Sequence, residues 1–207
     1  MIFHYFKTLP STQSFLEKLE PKEPSLVSTL IQTEGKGRGK NVWIQKPSGI
    51  CFSFSFHHSE NIPWSLITGI ILCQFLKKYF HQNFFLKWPN DILTSDGVKI
   101  GGILITKKKS LLIIGIGLNI NPGISINASA EKLSFVFPQL FYKFFFKQNL
   151  KKSLAFFHSF CYHMNEIVQI DDTEGTFKGI TQEGYAVLEH KGTSITISTG
   201  SLWIKKS

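Results

Sequence analysis

Gly35-Lys36-Gly37-Arg38-Gly39-Lys40 stands two residues beyond residues 26–32, an apolar run that suits a short buried strand. Arg38 is the single arginine of the chain; lysine supplies every other permanent positive charge. A lone arginine among lysines points to a place where a rigid, planar fork of donors matters, as in two-pronged recognition of a phosphate or carboxylate. Alternating glycines let the backbone approach a ligand closely. The stretch therefore reads as a loop folded over an anionic small molecule, with an ordinary surface hairpin as the alternative.

Working outward, residues 2–6 read as a strand, and Pro10-Ser11-Thr12 leads into a helix capped by Ser11 and running to about residue 19. Residues 50–56 alternate, with Cys51, Ser53 and Ser55 on one face and Phe52, Phe54 and Phe56 on the other. Residues 62–80 form the best long helix, apolar on most sides and suited to packing against a sheet. Residues 84–87 begin another strand, Thr94-Ser95-Asp96-Gly97 is a turn, and residues 98–106 and 110–118 pair as a hairpin. Residues 119–127 read as a polar loop. A second helical region is expected over residues 138–168. From Glu174 onward short, glycine-punctuated strands suggest a small antiparallel barrel, too small to hold a strong core alone.

The 207 residues allow one substantial core plus a small appended unit. No apolar stretch is long enough to span a bilayer, and the N-terminus lacks the basic-then-apolar pattern of a secretory signal, so a soluble cytoplasmic protein is expected. Cys51, Cys73 and Cys161 are far apart and make no Cys-x-x-Cys pair, which argues against a disulfide framework or zinc site. The net charge of +9 would suit a nucleotide, a nucleic acid or an acidic partner, and alone decides none of them.

Four further stretches gain meaning beside the glycine loop. Ser11-Thr12-Gln13 sets hydroxyls and an amide at a helix start. Lys87-Trp88-Pro89-Asn90-Asp91 places a polar pair directly after a strand, where sheet-based folds commonly bind ligands. Lys99-Ile100-Gly101-Gly102-Ile103-Leu104 brings a lysine into an apolar strand beside two glycines, which weaken a strand unless something approaches closely. Gly115-Ile116-Gly117-Leu118-Asn119-Ile120-Asn121 repeats that logic and ends in asparagines. Each has a plain structural reading as cap, turn or strand; all five in one small chain point to a site.

In order and spacing these motifs resemble the biotin protein ligase family. The run Gln32 to Trp43 is similar to that family's biotin and nucleotide loop, and the Lys87, Lys99 and Gly115 stretches to its further signatures. The resemblance implies an α+β fold: a class II synthetase-like, biotin–lipoate ligase catalytic domain, a mixed sheet flanked by helices, over residues 1–172. A small SH3-like β-barrel over residues 173–207 would follow. It also implies a reaction: biotin and ATP give biotinyl-5′-AMP, whose acyl group passes to a lysine of the biotin carboxyl carrier protein of acetyl-CoA carboxylase. By similarity Ser11, Thr12, Gln13, Gln32, Gly35, Lys36, Gly37, Arg38, Trp43, Lys99, Gly102 and Gly115 would form the biotin site. Lys36, Arg38, Asn90, Asp91 and Asn119 would serve ATP, with Asp91 also holding Mg²⁺, and Lys99, Arg38 and Asp91 would be catalytic.

The chemistry of these residues suits that assignment. Carboxylate attack on phosphate joins two anions, so the need is for fixed cations and alignment rather than proton removal. Lys36 stands where many members carry arginine, keeping the charge but losing the fork, and Gln13 stands where asparagine is frequent. The sequence starts almost at the catalytic strand, so no DNA binding is expected. A homodimer is left open. Alternatives are a lipoate protein ligase of the same fold, or a noncatalytic nucleic-acid-binding module suggested by charge and the C-terminal strands.

Overall fold

The computed structural model describes residues 1–47, 49–119 and 129–205. In chain order the elements are β1 (Ile2–Leu9), α1 (Thr12–Leu19), β2 (Ser25–Gln32), β3 (Gly35–Lys36), β4 (Val42–Trp43) and β5 (Gly49–His57). There follow α2 (Trp64–Phe80), β6 (Phe84–Lys87), β7 (Asp91–Thr94), β8 (Lys99–Lys108), β9 (Leu111–Asn119) and α3 (Ala130–Phe145). The remainder comprises α4 (Leu150–Ser153), a 3-10 turn, α5 (Phe157–Phe160) and strands β10 (Ile167–Ile170), β11 (Thr173–Ile180), β12 (Ala186–His190), β13 (Thr193–Ile197) and β14 (Leu202–Ile204). They form two compact units, Met1–Glu60 with Ile100–Gln148, and Asn61–Lys99 with Asn149–Ser207.

The first unit is a mixed sheet in the order β1-β2-β5-β9-β8, with β1 parallel to β2 and the other pairs antiparallel. The alternation in β5 decides which face each helix covers. Phe52 and Phe54 point to α3, where they meet Phe141 and Phe145 edge-on, the Phe54–Phe145 centroids 5.0 Å apart. Each such ring, fully buried, contributes on the order of 1.5–3 kcal/mol of transfer free energy. On the opposite face Leu16 of α1 packs with Val27, Leu111 and Ile113, flanked by Phe6, Leu9 and Phe15. Helix, sheet and helix thus form the layers expected of the α+β class.

The second helix departs from expectation. It begins at Ala130, capped by Ser129, and ends at Phe145, rather than occupying residues 138–168. Pro138 lies inside it and cannot donate to the carbonyl of Ser134. Ser28 Oγ supplies the missing donor to that oxygen at 2.8 Å, so tertiary structure repairs what a sequence reading takes as a helix boundary. Beyond it the chain breaks into α4, a 3-10 turn and α5 before entering β10.

The second unit joins α2, buried on most sides, to the β6–β7 hairpin and a separate antiparallel sheet in the order β13-β12-β11-β10-β14. Because β10 pairs with both β11 and β14, this sheet starts ahead of residue 173, where the texture of the sequence changes. Leu86 bridges to Cys161, and the Trp88 indole N–H donates to the Gly184 carbonyl at 3.0 Å. All three cysteines are free and buried, and burial pushes the Cys51 and Cys161 thiols up to about 12, as suits small apolar fillers. No helix among the described residues is long and apolar enough to cross a membrane.

Candidate active site

In the first unit, the α1 face of the sheet has a floor of small residues. Cross-strand register sets Gly102 beside Gly117 and Cys51, and Leu104 beside Gly115 and Ser53. A methyl group on Gly115 would collide with Gln13 Oε1, and one on Gly117 would collide with the Trp43 indole. Glycine is needed there because side chains from α1 and the glycine hairpin lie directly on the strand.

The start of α1 delivers polar groups to this floor. Ser11, Thr12 and Gln13 are 2%, 4% and 3% exposed. Ser11 caps the helix by accepting from the Ser14 N–H at 3.3 Å. The Thr12 N–H donates to Gln32 Oε1 at 2.9 Å, and the Thr12 hydroxyl lies 2.9 Å from Ser53 Oγ. Ser53 donates to Gln13 Oε1 at 3.1 Å, while Gln13 Nε2 donates to Thr106 Oγ1 at 2.9 Å. Thr106 in turn donates to Glu17 Oε1 at 2.8 Å, and the other oxygen of Glu17 pairs with Lys36 at 3.1 Å.

The glycine stretch is a hairpin, β3 against β4, with Gly39 at φ +60° in its turn. It is the surface hairpin of the alternative reading, yet Lys36 reaches α1 and Trp43 lies on the glycine floor. Gly35 lies close to Gln32 and to the Trp43 backbone, and Lys36 reaches Glu17 on α1. Arg38 and Gly37 are partly buried within the turn. The returning limb is clamped: Gln45 donates to the Leu30 and Gly49 carbonyls and accepts from the Gln32 N–H. Asn119, expected beside the nucleotide, uses its amide to accept from the Lys46 N–H and donate to the Ile44 carbonyl, both at 2.9 Å. Asn121 lies outside the described residues.

The second unit gathers another set. Lys99 Nζ is 2.7 Å from Asp91 Oδ1, the two side chains 51% and 19% exposed. They open onto a groove of about 810 Å³ together with Lys87, Asp96, Tyr162, Glu166 and Lys205. Asn90 stands at the turn between β6 and β7, its N–H donating to the Lys87 carbonyl. Burial holds the Lys87 ammonium below its ordinary range; Asp91 acts against that shift and Lys99 with it. Lys87 also lies 5.3 Å over the Trp203 ring.

Ser11, Thr12, Gln13, Gln32, Gly35, Lys36, Trp43, Gly102 and Gly115 thus line or adjoin one floor, and Asn90, Asp91 and Lys99 form a second group. Ser53, Thr106, Glu17 and Gln45 escaped the sequence reading. For Ser53 a signal exists, since a serine alternating with phenylalanines in a buried strand needs a polar partner. The other three have none, because their partners lie far away in sequence.

Comparison with known proteins identifies the family and the fold. Residues 5–121, more than half of the chain, match the biotin/lipoate A/B protein ligase family. The human biotin–protein ligase is 31% identical over 145 residues, which are 59% of this chain and 20% of that protein, so the chain spans about a fifth of that relative. A biotin protein ligase from Aquifex aeolicus, solved with biotin and ATP, superposes with a TM-score of 0.83 over 99% of both chains at 21% identity, a likeness of fold. The biotin acetyl coenzyme A carboxylase synthetase from Helicobacter pylori, solved with biotinylated ATP, is 26% identical with a TM-score of 0.69, covering 94% of this chain and 98% of that one. The match across the hairpin, both glycine strands and the Asn90-Asp91 turn means that this chain belongs to the biotin/lipoate A/B protein ligase family.

Proposed function

We propose that the chain is an ATP-dependent biotin protein ligase. A biotin carboxylate oxygen attacks the α-phosphorus of ATP, the bond to the bridging oxygen breaks, and pyrophosphate leaves with its electron pair. The ε-amine of a carrier lysine then attacks the acyl carbon of biotinyl-5′-AMP, loses a proton and expels AMP. The expected acceptor is the carrier domain of acetyl-CoA carboxylase, and the expected compartment the cytoplasm. The supporting observation is the buried polar cluster of Thr12, Gln13 and Ser53 against Gly115, with a cationic glycine hairpin whose Trp43 lies on Gly117.

The roles follow from charge. Lys36 and Arg38 would offset the biotin carboxylate, and Lys99 the α-phosphate, so that two anions can react. Asp91 holds Lys99 in place through their 2.7 Å ion pair. The residues fit Mg²⁺ brought in with the nucleotide: Asp91 offers a hard oxygen, and the described residues contain no cluster of three acidic, His or Cys ligands that would hold an ion alone. When bound, Mg²⁺ would neutralise phosphate charge, with Asp91 and Asn90 as its protein neighbours.

Incubation with biotin, ATP, Mg²⁺ and a carrier domain should add one biotinyl group to the carrier, read by intact mass, only when both small substrates are present. An unmodified carrier, or preferential transfer of lipoate, would overturn the proposal. Lys99→Ala should slow biotin-dependent pyrophosphate exchange by at least 100-fold, the order of loss expected on removing a charge-stabilising group.

A further inference from the structure

The hydrogen bonds beneath the site have a direction, and one residue outside the motifs sets it. We propose that Glu17 is a positioning residue whose carboxylate fixes the donor–acceptor polarity of the biotin-site floor through Thr106. The inference rests on the biotin-binding role assigned above to Thr12, Gln13 and Gln32, and deepens it.

An ionised carboxylate only accepts, so Thr106 must spend its single hydroxyl proton on Glu17 Oε1, 2.8 Å away. The Thr106 oxygen is then an acceptor, and at 2.9 Å it is the nearer of two that face the NH₂ end of the Gln13 amide, the other being the Ile113 carbonyl at 3.4 Å. That orientation turns Gln13 Oε1 to Ser53, which donates to it at 3.1 Å. With the Ser53 proton committed, the 2.9 Å contact to Thr12 can be filled only by the Thr12 hydroxyl. Thr12 also lies 3.2 Å from Gln32 Oε1, but its own backbone N–H serves that oxygen at 2.9 Å, and the shorter contact to Ser53 is the better use of its one hydroxyl proton. The chain of donors Thr12 hydroxyl, Ser53 hydroxyl, Gln13 amide and Thr106 hydroxyl therefore runs toward Glu17. The spare capacity left on the Thr12 and Ser53 oxygens and on Gln13 Oε1 is acceptor capacity, suited to a ligand that presents N–H groups.

Glu17 is well placed for this. Lys36 Nζ pairs with its second oxygen at 3.1 Å, and Lys108 Nζ anchors its backbone carbonyl at 3.0 Å. Glu17 itself need not touch the ligand. A glutamine in its place keeps the shape but can present its NH₂ end to Thr106, which frees the Thr106 proton and leaves the Gln13 NH₂ group only the longer contact to the Ile113 carbonyl.

Two near-isosteric variants test this, Glu17→Gln and Thr106→Val, singly and together. In pyrophosphate exchange each should raise KM for biotin roughly fivefold or more, the value of one misdirected hydrogen bond, with kcat within about twofold of wild type. Together they should do no more than Thr106→Val alone, because Glu17 acts through Thr106. Additive effects, or an unchanged KM in Glu17→Gln, would overturn the assignment. A second readout needs no ligand: the Gln13 side-chain amide protons, followed by NMR, should be slow to exchange in the wild type and fast in both variants. Equal exchange in all three proteins would also overturn it. If the wild type shows no biotin-dependent exchange of pyrophosphate, the ligase proposal fails, while the Gln13 amide still reports on Glu17.

Discussion

At the scale of single residues, the site depends on side chains that are missing as much as on those present. Gly117→Ala would force its methyl group into the Trp43 indole, and relief by moving either partner would cost about 1–3 kcal/mol. We expect KM for biotin to rise at least tenfold and the urea midpoint to fall; a variant with wild-type KM would show that Trp43 has no part in binding. His163 carries a different liability. It is fully buried in the second unit, its ring edge-on to Phe177 at 4.2 Å and neither nitrogen bonded to protein. Burial, reinforced by the charge of Lys87, pushes its pKa down from 6.5 to about 3. The unfolded chain takes up a proton below pH 6.5 while the folded chain resists until about 3, so this group removes stability as pH falls through that window. The slope from one such proton is about 1.4 kcal/mol per pH unit. His163→Leu should flatten the acid limb of a plot of unfolding free energy against pH between 6.5 and 4; an unchanged slope would place the acid sensitivity elsewhere.

At the scale of elements, what was legible depended on how local each signal was. The first strand, the Ser11 cap, the β5 alternation and the β8–β9 hairpin were readable because their causes lie within a few residues. The 130–145 helix was misplaced because its proline is tolerated through a hydroxyl on β2, more than a hundred positions away. The first half of strand β10 was absorbed into a helix for the same reason, since its apolar pattern is too short to distinguish the two states without its partners β11 and β14. The site behaved alike. Motif residues stood out by type, whereas Glu17 and Thr106 are ordinary in sequence and acquire meaning only through contacts 89 positions apart. The hairpin offers an element-scale prediction. Its ties include its own ladder, backbone bonds from Thr33 and Glu34 to Leu9 and Pro10, the Gln45 and Asn119 clamps, and a partly exposed ion pair worth no more than about 1 kcal/mol. Trypsin should cut after Arg38 readily in the ligand-free protein and much more slowly with saturating biotin. Equal rates would mean that biotin does not engage this element.

At the scale of the whole molecule, composition places a break near residue 173, but the second unit is woven from two distant stretches of chain. Its early stretch supplies α2 and the β6–β7 hairpin, and its late stretch supplies α4, α5 and the antiparallel sheet. Within the unit the two are fastened at several points. Leu86 bridges to Cys161 and accepts from the Tyr162 N–H, the buried Trp88 donates to Gly184, and Gly184 lies against Pro63 and Leu66 with no room for a side chain. Lys87 and Trp203 add a cation–π contact. A chain cut after residue 172 would keep β10 but strip it of both neighbouring strands, and would leave the Trp88 indole N–H unpaired in an opened core. An unsatisfied buried donor alone costs about 1–3 kcal/mol, and the lost burial of Phe177 and Leu188 adds to it. Marginally stable domains do not absorb losses of that size. The truncated chain should therefore lose its cooperative thermal transition and enter inclusion bodies, and Trp88→Phe in the full chain should lower the urea midpoint without abolishing folding. A truncated chain that stays soluble and melts cooperatively near the wild-type temperature would show that the C-terminal sheet is a separable appendage.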